Sequence, residues 1–215
     1  MDLRTDSKSI ALLAIFTSIV VALEIFPIVG VTDFYTLVPN FTIDWTGIPI
    51  MIIFLGLGIG LSVFAIGVMW VSIAYRHFDG AAFKFLAELF SLLGLIVAKL
   101  AMRNRELDWK RQTVIYLVFA CAFRSIGMYF GNILLFTLFG YMSLEVAIGF
   151  SVIYMPWNVL QAAINVIGGV VLYQMIPESL AIQAGLGKYR FVGEGKYEEI
   201  SADEIESVSD EEQAD

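Results

Sequence analysis

The chain has 215 residues, of which 59% are hydrophobic and 16% charged, and its mean hydropathy is +0.79. A soluble domain carries roughly 25% charged residues, so this composition excludes an ordinary water-soluble fold and indicates an integral membrane protein. The formal charge of −8 belongs to one end only: residues 1–177 hold ten Lys/Arg and ten Asp/Glu, whereas residues 178–215 hold three and eleven.

A helix needs about 20 apolar residues to cross the hydrocarbon of a bilayer. In chain order the clear candidates are Ser9 to Val29, Ala82 to Leu100, Thr113 to Leu138 and Pro156 to Ile176. The first run lacks an A-x-A-like cleavage site and ends in Glu24 and Pro27, so it reads as a retained span rather than a signal peptide. Between the first two candidates lies Gly47 to Tyr75, 29 residues without a charge. It is either one tilted helix or a hairpin that breaks at LGLGIG, residues 55–60.

Charge decides between the two. Arg103, Arg105, Lys110 and Arg111 form the strongest basic cluster beside any span, and Arg4 and Lys8 flank the first; both are therefore expected on the cytoplasmic side. An even number of crossings must separate them, which requires the hairpin. The expected architecture is an all-α integral membrane protein with six transmembrane helices over residues 1–177 and both termini cytoplasmic. Residues 178–215, which include EGKYEEISADEIESVSDEEQAD, read as an acidic, disordered cytoplasmic tail, because such a segment buries too little apolar surface to order itself.

Ionisable groups inside spans cost roughly 2.5–3.5 kcal/mol each on insertion scales, so each needs a partner or a task. Lys84 and Glu88 are one helical turn apart and are expected to pair with each other. Glu24 can reach the interface, and Arg124 needs a distant acid such as Glu88 or Glu24. In the last span Pro156 suits a first helical turn, and Asn158, Gln161 and Asn165 follow at i, i+3 and i+7, a polar stripe on one helix face. Amides both donate and accept. The stripe can line a pocket for a neutral hydrogen-bonding ligand or bond one helix to another. In the fifth span Tyr129 and Asn132 accompany Gly127 and Gly131, whose spacing permits close helix contact. In the first span Ala14, Ser18 and Ala22 form a small-residue stripe suited to receiving a further helix.

Several chemistries lack their parts. His77 is the one histidine and Cys121 the one cysteine, so a disulfide framework, a His-based metal centre and an H-E-x-x-H protease are all excluded. Ser151, in GFSV, is a poor match to an intramembrane serine protease. The tail's GLGKY has Ile182 where a G-x-x-x-x-G-K-[ST] phosphate loop needs its first glycine, so the chain does not hydrolyse ATP by itself. Asn40-Phe41-Thr42 is an N-x-T sequon. No basic stripe with interleaved aromatics suggests nucleic acid, and Trp45, Trp70, Trp109 and Trp157 fall near expected span ends, as interfacial belts require.

In order along the chain, KSIALLAIFTSIVVALEIFPI, FTIDWTGIPIMIIFLGLGIGLSVFAIG, GMYFGN and MPWNVLQAAIN resemble the substrate-binding S component of energy-coupling factor (ECF) transporters, and within it the riboflavin-binding branch. The likeness covers roughly residues 9–176. It implies that Ala14, Ser18 and Ala22 contact a transmembrane scaffold (T) subunit, and that transport uses two ATPase subunits. It further implies that Asn132 and Asn158 bond a vitamin-like ligand beneath a lid formed by residues 30–45. Where that branch has a lysine one turn after the sixth-span asparagine, this chain has Gln161. On this reading Gln161 and Asn165 complete the polar edge, Tyr129 and Tyr35 stack on the ligand, and no cofactor is needed. Asp44 is expected to cap the second helix with Trp45 at the interface. Two rival classes remain: a membrane enzyme on lipid-linked substrates using Arg124, Lys84 and Glu88, and a non-catalytic scaffold recruiting partners through its tail.

Overall fold

The computed structural model describes residues 7–39, 41–103 and 107–177, together with Ala181 and Leu186. Arg4, the Asn40 sequon, Arg105 and nearly all of the acidic 178–215 segment lie outside the described residues. Six helices carry the fold: α1 (Ser7–Ile25), α2 (Gly47–Gly56), α3 (Ile59–Ala74), α4 (Phe78–Met102), α5 (Trp109–Leu138) and α6 (Leu144–Met175). A small antiparallel ribbon, β1 (Asp33–Tyr35) and β2 (Thr42–Asp44), interrupts the connection from α1 to α2, in the register Asp33↔Asp44 and Tyr35↔Thr42. Four helices, α1, α4, α5 and α6, are long and apolar enough to cross a membrane; α2 and α3 are shorter apolar helices. The protein is thus a largely helical membrane protein.

The charge-free stretch 47–75 does fold back on itself. Gly58, at φ +92°, sits at the break between α2 and α3, a left-handed conformation that a side chain resists. α2 runs alongside α6 in the same direction. A Cβ on Gly47 would overlap Asn165, one on Gly169 would fall 2.5 Å from Met51, and one on Gly56 3.3 Å from Tyr173. α3 then returns, and the Arg76 guanidinium just beyond it bonds the carbonyls of Glu24 and Ile25 at the end of α1. From there α4, α5 and α6 pack as successive antiparallel neighbours. Trp70 meets Phe78 and Phe85 across α3 and α4, Gly94 meets the backbone of Phe119 and Ala120, and Ser125 reaches the Met155 carbonyl. The apolar core, including Met51, Phe54, Ile66, Met69, Leu92, Leu95, Val166 and Val170, lies where α2, α3, α4 and α6 converge.

Two sequence expectations are corrected. α6 begins at Leu144, so Pro156 lies inside the helix and not in its first turn. Its buried positions Ala147, Ser151, Tyr154, Asn158, Gln161 and Asn165 repeat at alternating spacings of four and three. One packed stripe therefore continues through the proline, and neighbouring helices make a helix-interior proline tolerable in such an environment. At the start of α2 the capping position is Thr46, with no side-chain cap bond; Asp44 lies two residues before it.

Candidate functional site

Three helix faces and one loop bring polar side chains into the bundle. α4 presents Lys84, Glu88 and Ser91 at i, i+4 and i+7, α5 presents Arg124, and α6 presents Asn158, Gln161 and Asn165. The ribbon's last residue, Asp44, and Thr46 close the group from the loop side. All but Lys84 are buried, and they form one connected network.

At its centre Arg124 Nη1 donates to Glu88 Oε1 at 2.6 Å and to Ser91 Oγ at 3.1 Å, while its Nε faces Asn158 Oδ1 at 3.4 Å. Asn158 Nδ2 donates back to the Tyr154 carbonyl at 3.0 Å. Asn165 Nδ2 donates to both Glu88 oxygens, at 3.2 and 3.4 Å, and Asn165 Oδ1 accepts from Gln161 Nε2 at 2.9 Å. Gln161 also pairs with the loop as a strand would: Asp44 N–H donates to Oε1 at 3.1 Å, and Nε2 donates to the Asp44 carbonyl at 2.7 Å. The side chain thereby satisfies the backbone of a segment entering a dry environment.

The Asp44 carboxylate turns the other way. Oδ1 accepts from the Thr46 N–H at 2.9 Å and from the Thr46 hydroxyl, and Oδ2 lies 2.9 Å from Lys84 Nζ. Lys84 also pairs with Glu24 of α1 and donates to Thr46 Oγ1 at 2.9 Å. Burial by itself would raise the Asp44 pKa, but the Lys84 ammonium and the Thr46 bonds outweigh it and hold the carboxyl below its ordinary value. Asp33, opposite it in the ribbon, is pushed up by burial and then by the Asp44 charge. An ionised Asp44 keeps the loop tied to α4.

The expected Lys84–Glu88 pair is therefore absent. Each residue has taken a partner from elsewhere, Lys84 toward α1 and the loop, Glu88 toward α5 and α6. A buried acid and base each gain more from a partner that also brings hydrogen bonds. Arg124 finds Glu88, one of its two expected acids. The parts that sequence reasoning missed are Glu24 and Asp44 as partners of Lys84, and Ser91. The periodicity of Lys84, Glu88 and Ser91 on one face was the available signal for the last.

The structure brings Asn158, Gln161 and Asn165 together; Asn132 is placed differently. It is 3% exposed on α5 and, among the described residues, has no side-chain hydrogen bond. One turn further along α5, Phe136 packs at 5.0 Å on Phe83 and at 5.6 Å on Tyr154, whose ring also meets Phe41 and Phe150. Tyr154 donates to the Pro39 carbonyl at 2.9 Å, so the aromatic group touches the loop as well. The Ser151 hydroxyl is buried and, among the described residues, has no partner. Tyr129 is half-buried with its ring edge-on to Phe130, whereas Tyr35 is 74% exposed in β1. Ala14, Ser18 and Ala22 are all exposed, on the side of α1 turned away from Ser9, Leu13, Thr17 and Val20.

Below the amides, Gly47, Glu88, Ser91, Ala162 and Asn165 line part of a cavity of about 20 Å³, enough for one water molecule. Among the described residues no group of three or more His, Cys, Asp or Glu side chains forms a metal cage. Chemically the arrangement is a set of neutral amides bonded to one another, to the loop backbone and to an internally compensated ion pair. Comparison with family models, with curated proteins and with solved structures finds no match.

Proposed function

We propose that the chain is the membrane-embedded substrate-binding component of an ECF-type uptake transporter, taking riboflavin or a related vitamin. In this reading the helices make six crossings of the cell membrane with both termini cytoplasmic. The exposed stripe Ala14, Ser18, Ala22 meets the scaffold subunit, and two separate ATPase subunits supply energy. The observation that carries the proposal is Asn132, a residue only 3% exposed whose amide has no side-chain hydrogen bond among the described residues, on the same helix face as an aromatic group that Pro39 and Phe41 of the loop touch. A ligand edge bonded to that amide would gain a hydrogen bond worth about 0.5–1.5 kcal/mol. A vitamin-sized ligand needs a pocket of about 300 Å³ or more, so its admission requires the loop to leave Gln161 and Tyr154. The two Gln161 bonds to Asp44 are then the closure contacts, and Asn158 and Asn165 become available as the loop lifts.

The test is ligand binding by the purified chain without ATP. A panel of vitamins, riboflavin first, is titrated by fluorescence and thermal shift, and mass spectrometry identifies any molecule that copurifies. One ligand per chain is expected, with affinity lowered about 10-fold or more in Asn132→Ala, the loss of one buried hydrogen bond. No response to any vitamin, together with unchanged uptake in Asn132→Ala and Asn158→Ala cells, would overturn the proposal.

A further inference from the structure

The segment 26–37, which runs from the end of α1 through β1, is inside out for a loop in water. Its outward side chains are apolar: Phe26, Ile28, Val29, Val31, Tyr35 and Leu37 are all exposed, Leu37 at 93%. Its polar side chains are half-buried, and the two threonines bond the local backbone. Thr32 Oγ1 accepts the Ile28 N–H at 2.7 Å, Thr36 Oγ1 donates to the Phe41 carbonyl at 2.8 Å, and Asp33 is half-buried opposite Asp44. No exposed position from 26 to 37 carries a charge. Surface loops normally show the reverse pattern, and a contiguous apolar surface marks contact with something apolar.

Three observations name the occupant. The apolar surface continues that of α1, whose Ile10, Ile15 and Ile19 are exposed on a helix long enough to cross a membrane. Much of the backbone is bonded internally, which lowers the cost of contact with lipid: Gly30 N–H bonds the Asp33 carbonyl at 2.8 Å, Val31 and Thr32 bond the Ile28 carbonyl at 2.9 and 2.8 Å, and the ribbon pairs β1 with β2. The half-exposed Trp45 packs edge-on to Phe34 and donates its Nε1–H to the Val31 carbonyl at 2.8 Å, the amphipathic placement that indoles adopt at a membrane interface.

We infer that residues 26–37 are immersed in the leaflet that receives the C-terminal end of α1, with their apolar side chains among lipid chains and head groups. The loop that covers the amides is then a membrane-surface element, and it opens against lipid rather than water. This inference needs only the membrane location and not the vitamin reading, so the two fail separately.

Depth measurement tests it. On a Cys121→Ala background, nitroxides at Leu37→Cys and Val29→Cys are compared with one at Glu145→Cys, an exposed position in the first turn of α6. Each is measured in phosphatidylcholine nanodiscs holding one chain per disc, after its melting temperature is matched to the parent. The labels at positions 37 and 29 should collide more with dissolved oxygen than with a water-soluble nickel chelate, and the label at 145 should show the opposite order. Preferential collision with the nickel chelate at 37 and 29 places the loop in water and overturns the inference. Exclusion of both reagents means that protein covers the patch, and overturns it equally.

Discussion

Glu88 and Arg124 are tightly constrained, because each is almost fully buried. Their 2.6 Å contact is supported by Ser91 on one side and Asn165 on the other. Burying the two charges is itself unfavourable, so the pair contributes little net stability; removing one partner is a different matter. Arg124→Met leaves Glu88, among the described residues, with the Asn165 amide alone and should cost about 3–5 kcal/mol, the usual penalty for an uncompensated buried charge. The double variant Glu88→Gln with Arg124→Met should lose clearly less than the sum of the singles. A double-mutant cycle built on melting temperatures in detergent measures this coupling; simple additivity would show that the two side chains do not act as a unit.

Helix contacts in a membrane depend on how closely backbones approach, and here that approach is set by a few glycines. A Cβ on Gly94 would lie 2.5 Å from the Phe119 carbonyl oxygen and 3.0 Å from Ala120 Cα, backbone atoms that cannot rotate away. Gly67 of α3 and Gly149 of α6 have nothing within 4 Å of the same position. Gly94→Ala should therefore separate α4 from α5 and cost about 1–3 kcal/mol, as overpacking does. Gly67→Ala and Gly149→Ala should be neutral, or stabilising by up to about 1 kcal/mol through helix propensity. Thermal denaturation of the three variants side by side checks the contrast. At this scale much of the fold is legible in the sequence: apolar length marks the long helices, and the glycines of LGLGIG mark the break before α3. The start of α6 is not, because Pro156 is a strong local signal for a helix beginning, and only packing of Ala147, Ser151 and Tyr154 against neighbours overrides it.

Across the whole molecule, the long-range pairings are what sequence periodicity leaves open. The amide stripe of α6 is visible as a spacing, yet nothing in its spacing says that Gln161 will bond the backbone of Asp44, 117 residues away, or that Lys84 will prefer Asp44 and Glu24 to Glu88. Those choices depend on α2 entering beside α6, and so on the direction of every helix. The contacts fix relative directions: Arg76 touches the end of α1, Asp79 meets the Tyr141 hydroxyl at 2.5 Å, and Phe78 meets Phe139 at 6.4 Å. Residues 26–39, 41–46, 75–80 and 139–143 therefore gather at one end of the bundle, while 57–58, Arg103, Leu107 and Asp108 lie at the other. The basic residues Arg103, Lys110 and Arg111 flank that second end, and positive charge favours the cytoplasmic side. On the Cys121→Ala background, His77→Cys and Ser143→Cys should react with a membrane-impermeant maleimide on intact cells, and Asp108→Cys only after permeabilisation. All three native residues are exposed, so a failure to react reports location and not burial. Labelling of Asp108→Cys from outside would reverse the orientation, and with it the side of the membrane on which the loop over the amides lies.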